Sequence, residues 1–312
     1  MNRGHFILRR LVQMIPVLFG ITLVVFALLQ LIPGDPAVTM LGLQARPEAV
    51  AALRHELGLD RPLWEQYLRY VGNVITFDLG ESLKFKVSVS SLLGDRLLVS
   101  LALIVYSTVL MIVLSLPLGI ISALRKDGIF DQLTRVVLMV TMVMPAFWIG
   151  ILFLTFFGLK LQLFPVSGYG ETWKEHLHHL FLPAVTIALS ITPLLVRALR
   201  TSILEALGSD YVRTARAKGL REQAVITTHV LRNALIPALT LLGLSVGYLL
   251  GGTVIVENVF SLPGAGKLLV DAIGARDYPL VQSTTLVFAT LVILVNLLTD
   301  VIYTFLDPRV RL

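Results

Sequence analysis

RTSILEALGSDYVRTARAKGLREQAVITTHVLR, the 33 residues from Arg200 to Arg232, separates two apolar runs, Leu182–Leu199 and Ile236–Val256. It carries Arg200, Arg213, Arg216, Lys218, Arg221 and Arg232 against Glu205, Asp210 and Glu222. The pattern reads as helix–turn–helix. Ser209 or Asp210 can cap a short helix, and Gly219 can end it, because glycine enters the left-handed region without a Cβ clash. A charged, ordered segment between two long apolar runs is the pattern of a polytopic membrane protein that presents a loop to a partner. Ala215 and Ala217 are small enough to let that helix sit close in another protein's groove.

Composition outward from the loop agrees. The chain is 56% hydrophobic and only 15% charged, with mean hydropathy +0.82, whereas soluble domains carry about 25% charged residues. There is no cysteine, which excludes a disulfide framework and thiolate chemistry. Leu11–Ile32 is a run of 22 uncharged residues after Arg3, Arg9 and Arg10. The apolar core of a secretory signal is about 7–15 residues and ends in small residues. This run is longer and ends at Pro33-Gly34-Asp35-Pro36, so it is expected to be an uncleaved first span. Further spans are expected at Leu97–Leu124, Val136–Gly158, Leu182–Leu199, Ile236–Val256 and Val281–Phe305. Six crossings place both termini on one side. That side carries 15 Lys and Arg against 4 on the other, once the long loop of residues 33–96 is discounted. The excess of positive charge predicts cytoplasmic termini and a cytoplasmic Arg200–Arg232 loop.

Residues 33–96 read as an external helical segment. Pro47–Leu57 is a short amphipathic helix with Gly58 as its stop. Asp60 is placed to cap a second helix, with Pro62 in its first turn and Leu63, Tyr67, Tyr70, Val71 and Val74 on the apolar face. Trp64, Tyr67 and Tyr70 suit a membrane interface. This segment is expected to pack as a cap over the bundle. Pro117, Pro145, Pro183 and Pro193 interrupt the spans and permit bends that a gating transporter can use. Ser107, Thr141, Ser190, Thr192, Ser245, Tyr248, Gln30, Asn296 and Asp300 are the polar residues inside them. Asp300 lies near the end of its span, where an ionisable group costs little, and reads as a structural hydrogen-bonding residue. His176, His178 and His179 stand beside Trp173 and Glu175 in an interfacial loop. No second set of ligands accompanies them, so no metal site is expected.

Several chemistries are absent. Pro263-Gly264-Ala265-Gly266-Lys267-Leu268 lacks the first Gly and the Ser or Thr after Lys that a phosphate loop needs, and reads as a turn. No nucleophile–base set, carboxylate pair or zinc spacing stands out, so no catalytic residue and no cofactor is expected in the chain itself. A nucleic-acid surface is not expected either, since the basic loop has one Tyr and no stacking platform.

At the basic loop the chain resembles permease subunits of bacterial ABC importers. Their cytoplasmic loop carries a Glu-Ala-Ala, three residues, Gly pattern with a later apolar-Pro exit. The matching positions are Arg213-Thr214-Ala215, Gly219 and Leu235-Ile236-Pro237, with the Glu and first Ala replaced. The form Tyr211-Val212-Arg213-Thr214-Ala215-Arg216-Ala217-Lys218-Gly219 is similar to the DppB/OppB-type branch. So are Leu57-Gly58-Leu59-Asp60-Arg61-Pro62, Asp78-Leu79-Gly80-Glu81-Ser82, Glu257-Asn258-Val259-Phe260, Arg276-Asp277-Tyr278-Pro279 and Asp307-Pro308-Arg309. The resemblance implies an all-α integral membrane protein with the type I ABC importer permease fold. It divides the chain into residues 1–95, a permease domain over 96–305 with its coupling loop at 200–235, and a tail at 306–312. Asp210, Tyr211, Arg213, Thr214, Ala215, Arg216, Ala217, Lys218 and Gly219 would form the ATPase-coupling segment.

The implied partners are a second, DppC/OppC-like permease, two ATP-binding subunits that hold ATP and magnesium, an external substrate-binding protein and membrane lipid. The implied location is the bacterial inner membrane. Dipeptides or oligopeptides are the expected cargo, with glutathione and nickel chelates as alternatives within the branch. The alternative from another class is an ion-coupled carrier using Asp300, but the sequence shows no paired broken helices to support it.

Overall fold

The computed structural model describes residues 3–31, 35–42 and 45–306. Among these, all regular elements are helical, with one isolated β-bridge between Glu81 and Ser88. In order they are α1 (Arg3–Leu31), α2 (Pro36–Leu41), α3 (Pro47–Leu57), α4 (Leu63–Ile75), α5 (Val89–Leu124), α6 (Ile129–Val143), α7 (Ala146–Phe153), α8 (Trp173–Leu207), α9 (Asp210–Ala217), α10 (Glu222–Ala224), α11 (Arg232–Val259), α12 (Ala265–Ala275) and α13 (Tyr278–Leu306). Two π-helical stretches, Leu154–Lys160 and Val225–Leu231, continue α7 and α10.

By length and composition, α5, α8, the Glu222–Val259 stretch and α13 can each cross a bilayer. The expected third span is not one straight helix. It breaks between α6 and α7 by 104°. Pro145 has no N–H to donate and clashes with a helical predecessor, so Met144 is pushed into the extended region at ψ 129°. Counted together, α6 and α7 form a fifth candidate span. Helix α1 has 29 residues, and its apolar stretch Val12–Leu28 meets the lower limit of about 17 residues for a spanning helix. The all-helical architecture matches the sequence reading, and four of the six expected spans fall within single helices long and apolar enough to cross, with a fifth in the bent α6–α7 pair.

The chain packs as two compact units, each with its own core. One contains residues up to Ser100 together with Pro263–Ile293. Here α3 starts with Pro47 at its first position and stops at Gly58, whose φ of +68° closes it in the left-handed form. Asp60 does not cap α4. Its carboxylate pairs instead with His55 Nδ1 at 2.7 Å, and Pro62 occupies the cap position. Tyr67 and Tyr70 pack on Phe19 and Phe26 of α1, and the hydroxyls of Tyr67 and Thr22 share a 3.0 Å hydrogen bond. Leu63, expected on the same face, is 56% exposed. Val89 and Leu93 of α5 pack against Ala265, Leu268 and Ala272 of α12 and Leu280 of α13. Helix α12 begins at Ala265, so Gly266, Lys267 and Leu268 are helical, and the expected turn is confined to the residues before them.

The other unit contains Leu101–Leu262 and the residues from Leu294 onward. Its centre is α8, which packs against α6, α7 and α11. A Cβ on Gly119 would lie 2.8 Å from Leu199, and one on Gly150 3.2 Å from Phe260, so these glycines set how closely α5 and α7 approach their neighbours. The hydroxyls of Ser107, Thr192 and Ser245 donate to carbonyls one turn back in their own helices, at 2.7–2.8 Å. They satisfy themselves locally. Asp300's side chain lies outside the described residues. The histidine tract, expected in a loop, lies in the first turns of α8 and staples the loop before it. Ring nitrogens of His176, His178 and His179 donate to the carbonyls of Tyr169, Leu163 and Ser167, each at 2.9 Å.

Candidate functional site

The Arg200–Arg232 stretch folds as a knuckle on the end of α8. Helix α8 stops at Leu207, and Ser209 takes the extended cap conformation that starts α9. Ser209 is at the cap position, but its hydroxyl donates back to the Ala206 carbonyl at 2.5 Å and bonds no N–H of α9. The far end closes as the sequence predicts. Gly219 sits at φ +76°, and its N–H donates to the Arg216 carbonyl at 2.9 Å. A Cβ there would meet nothing within 4 Å, so the requirement for glycine is conformational and not one of space.

Val212 and Ala215 lie three residues apart and so share one side of α9. They are 0% and 5% exposed, and they pack into an apolar cluster with Ala123, Leu199, Ile203, Ala206, Val225 and Val230. Ala215 therefore faces its own chain and is not free to line a partner's groove, which corrects the sequence expectation. Ala217 remains exposed. The outward side carries Asp210, Tyr211, Arg213, Thr214, Arg216 and Lys218, with Leu220 just beyond. Tyr211 and Leu220 are each 44% exposed. Arg216 holds Glu222 with two hydrogen bonds, at 3.0 and 2.5 Å, across the turn at Gly219. Arg213 and Asp210 lie 3.5 Å apart in water, a pair that contributes little. All nine predicted residues thus fall on one short helix and its closing turn, seven of them facing outward together with Gly219, and Ala215 facing inward.

Beneath the knuckle lies a feature that the sequence reading missed. Asp131 in the first turn of α6 is fully buried. Arg200 of α8 grips it with Nε to Oδ1 at 2.8 Å and Nη2 to Oδ2 at 2.7 Å. The Ser122 hydroxyl of α5 donates to Oδ1, and the Asp127 N–H donates to Oδ2 at 3.0 Å. Arg200 is therefore a half-buried clamp residue, its side chain 18% exposed, and not one of the loop's free cations. The partners are 69 residues apart in sequence, so no local spacing signalled them. The one available signal was an Asp placed in a helix start between Lys126 and Arg135.

In the other unit, two of the motif segments meet. Asp277 is fully buried and accepts from Ser82 Oγ, Lys84 N–H and Leu280 N–H. The same unit has a cavity of about 690 Å³ with Arg54, Arg69, Tyr70 and Tyr278 on its wall. Arg54 there is paired with Asp35. No cluster of three His, Cys, Asp or Glu able to hold a metal occurs among the described residues.

Comparison with known proteins adds to this geometry. Residues 115–312 match the family described as "Binding-protein-dependent transport system inner membrane component", and residues 3–104 match its amino-terminal family, "Binding-prot-dependent transport system membrane comp, N-term". The dipeptide transport system permease protein DppB of Escherichia coli (strain K12) is 40% identical, over 98% of each chain. The di/tripeptide permease DppB of Pseudomonas aeruginosa (strain UCBPP-PA14) is 42% identical, again over 98% of each. The glutathione permease GsiC of Escherichia coli O6:H1 is 36% identical, over 98% of this chain and 99% of its own. Among solved structures, an inward-facing form of the MetNI methionine ABC transporter superposes with a TM-score of 0.58 at 16% identity. It covers 70% of this chain and 97% of that chain, a likeness of fold.

Proposed function

The chain belongs to the inner membrane components of binding-protein-dependent transport systems, and on that premise we propose that it is the peptide-translocating subunit of an ATP-driven importer. The observation that carries the reading is α9. It is anchored by its own apolar side to the end of the central helix α8, and it turns Tyr211, Arg213, Thr214, Arg216 and Lys218 outward. A helix so seated passes its movement to α8. ATP-binding subunits dock on its outward side, and ATP and magnesium act there, not in this chain. The excess of Lys and Arg on the termini and on this loop supports a cytoplasmic placement for them. A second, homologous permease completes the pore, and a substrate-binding protein, periplasmic or lipid-anchored, delivers cargo to the opposite face. Dipeptides or oligopeptides are the cargo that the relatives' names support, and glutathione is the second reading, on the strength of GsiC.

The test is reconstitution of the chain with its partner permease, ATPases and binding protein in lipid vesicles. Hydrolysis should rise when the binding protein carries a dipeptide; a rise with glutathione alone replaces the first reading by the second. Uptake by this chain alone on a proton gradient ends both. Gly219 gives an internal check. Gly219→Val forces a β-branched residue into the left-handed region at a cost of roughly 1–2 kcal/mol, and stimulation should fall by about tenfold. Gly219→Asn, which tolerates that region, should keep most of it. Equal behaviour of the two variants removes the role assigned to the turn.

A further inference from the structure

We propose that Asp131 and Arg200 are positioning residues that carry the movement of α9 into α6, a role that rests on the importer reading above. The clamp joins three helices at one point. Ser122 belongs to the last turn of α5, Asp131 to the first turn of α6, and Arg200 lies two turns before the end of α8. Those last two turns of α8, through Ile203 and Ala206, are the surface on which Val212 and Ala215 of α9 are seated. Between α9 and α6 there is thus a short physical chain: the apolar seat, one turn of α8, and a two-pronged ion pair.

The geometry suits transmission better than storage of stability. Two parallel N–H···O bonds fix both the distance and the plane of the guanidinium against the carboxylate. The Ser122 hydroxyl and the Asp127 N–H also donate to the Asp131 carboxylate, and Arg135 Nη2 lies 3.5 Å from Oδ2, so the carboxylate is held from several sides. A buried ion pair contributes little net stability against an apolar pair of the same size. It does hold one arrangement. Helix α6, 15 residues in all, then runs from the clamp in its first turn to the 104° break at Pro145. It is a lever arm with the clamp at one end and a bend at the other. Most of its side chains past the first turn are exposed and apolar, including Val136, Met139 and Val143 at 61%, 68% and 77%. Within this unit, the clamp ties its start to α8, beside the local contacts of Gln132 and Arg135 with Asp127.

The test uses the assembled complex. Asp131→Asn alone leaves the half-buried Arg200 guanidinium without its carboxylate and can fail to fold, so the double variant Asp131→Asn/Arg200→Gln is the informative one: both charges go, and an amide pair of similar size remains. The expected result is a complex that retains its ATPases and hydrolyses ATP, with transport per ATP reduced by about tenfold, within the usual span of coupling between sites. The Arg200→Lys variant keeps the charge but loses the two-pronged geometry, and should fall between. Wild-type coupling in the double variant makes the clamp a packing feature and overturns the proposal.

A second measurement does not depend on the variant folding. The chain has no cysteine of its own, so spin labels at Ile129→Cys, which is 78% exposed, and at Glu205→Cys report one distance across the clamp. In the otherwise wild-type complex that distance should stay fixed between nucleotide-free and ATP-bound states. A shift with nucleotide overturns the proposal. If the wild-type complex shows no ATP-driven transport at all, the importer reading falls and takes the clamp's role with it; wild-type coupling with an indifferent double variant removes the clamp alone.

Discussion

Val212→Asp should release α9 from its seat and strip the complex of its ATPases while leaving the rest of the chain folded. The expectation follows from magnitudes. Helix α9 has eight residues, and only Val212 and Ala215 are buried. Burying a Val side chain stabilises by about 1.5–3 kcal/mol, and the Ala methyl adds about 0.8. So short a helix has little stability by itself. The knuckle is therefore held by roughly 3 kcal/mol of local apolar contact. An ionised carboxylate confined at position 212 would cost several kcal/mol even after relaxation. The cheaper outcome is local detachment: α9 swings out and the carboxylate reaches water.

Amide exchange along α9 should accelerate sharply, and the ATPases should no longer co-purify. The thermal transition of the remaining chain should move little. Val212→Ala provides the graded comparison, with a loss of about 2 kcal/mol and partial retention of the ATPases. ATPases that stay bound to a Val212→Asp chain with protected α9 amides would show that docking does not use this helix.

The parts of the fold that were legible in the sequence share a cause. Apolar spans are set by length and composition, and α5, α8, α11 and α13 contain the runs read from the sequence. Helix α3 and the turn at Gly219 were legible because Pro at a first helical position and Gly just past an end are local signals with one dominant structural meaning. What escaped is non-local. The Asp131–Arg200 pair joins residues from different helices, and a charge count groups Arg200 with the loop's other cations when it is in fact half-buried and paired with Asp131. Ala215 was assigned to the partner side because periodicity identifies a face but not what covers it. Asp60 was close enough to cap α4, yet His55, five residues earlier, took its carboxylate. The bend in the third span shows the same limit: Pro145 permits either a kinked helix or a clean break, and the surrounding packing decides.

Asp277→Ala should be the most damaging single change in the unit that contains α12. The corner between α12 and α13 and the segment around Ser82 are tied through this carboxyl group, with one longer bond beside it from the Ser283 hydroxyl to the Leu79 carbonyl at 3.4 Å. Leu280 is fully buried and Ser82 is 1% exposed, so donors freed at those two residues have no ready access to water. Each buried donor left without a partner costs about 1–3 kcal/mol. Lys84 is exposed at the surface, and its N–H can recover a water, so it adds little. Ser82 can turn its hydroxyl elsewhere, which reduces its share. The expected total is about 2–4 kcal/mol, concentrated at Leu280, whose N–H lies in the first turn of α13 where no helical carbonyl is available to accept it.

Asp277→Asn should lose about half as much, because its amide carbonyl can replace one carboxylate oxygen but its NH2 group meets a donor. The measurement is a paired one: the thermal transition of the purified complex, and the rate of proteolysis between Lys84 and Lys86. The Ala variant should show both a lower transition and faster cleavage. A lowered transition with unchanged cleavage would mean that Asp277 matters as the cap of α13 and not as the tie to Ser82. An unchanged transition would mean that the corner is held by the apolar packing of Val89, Leu93, Leu268 and Leu280 alone.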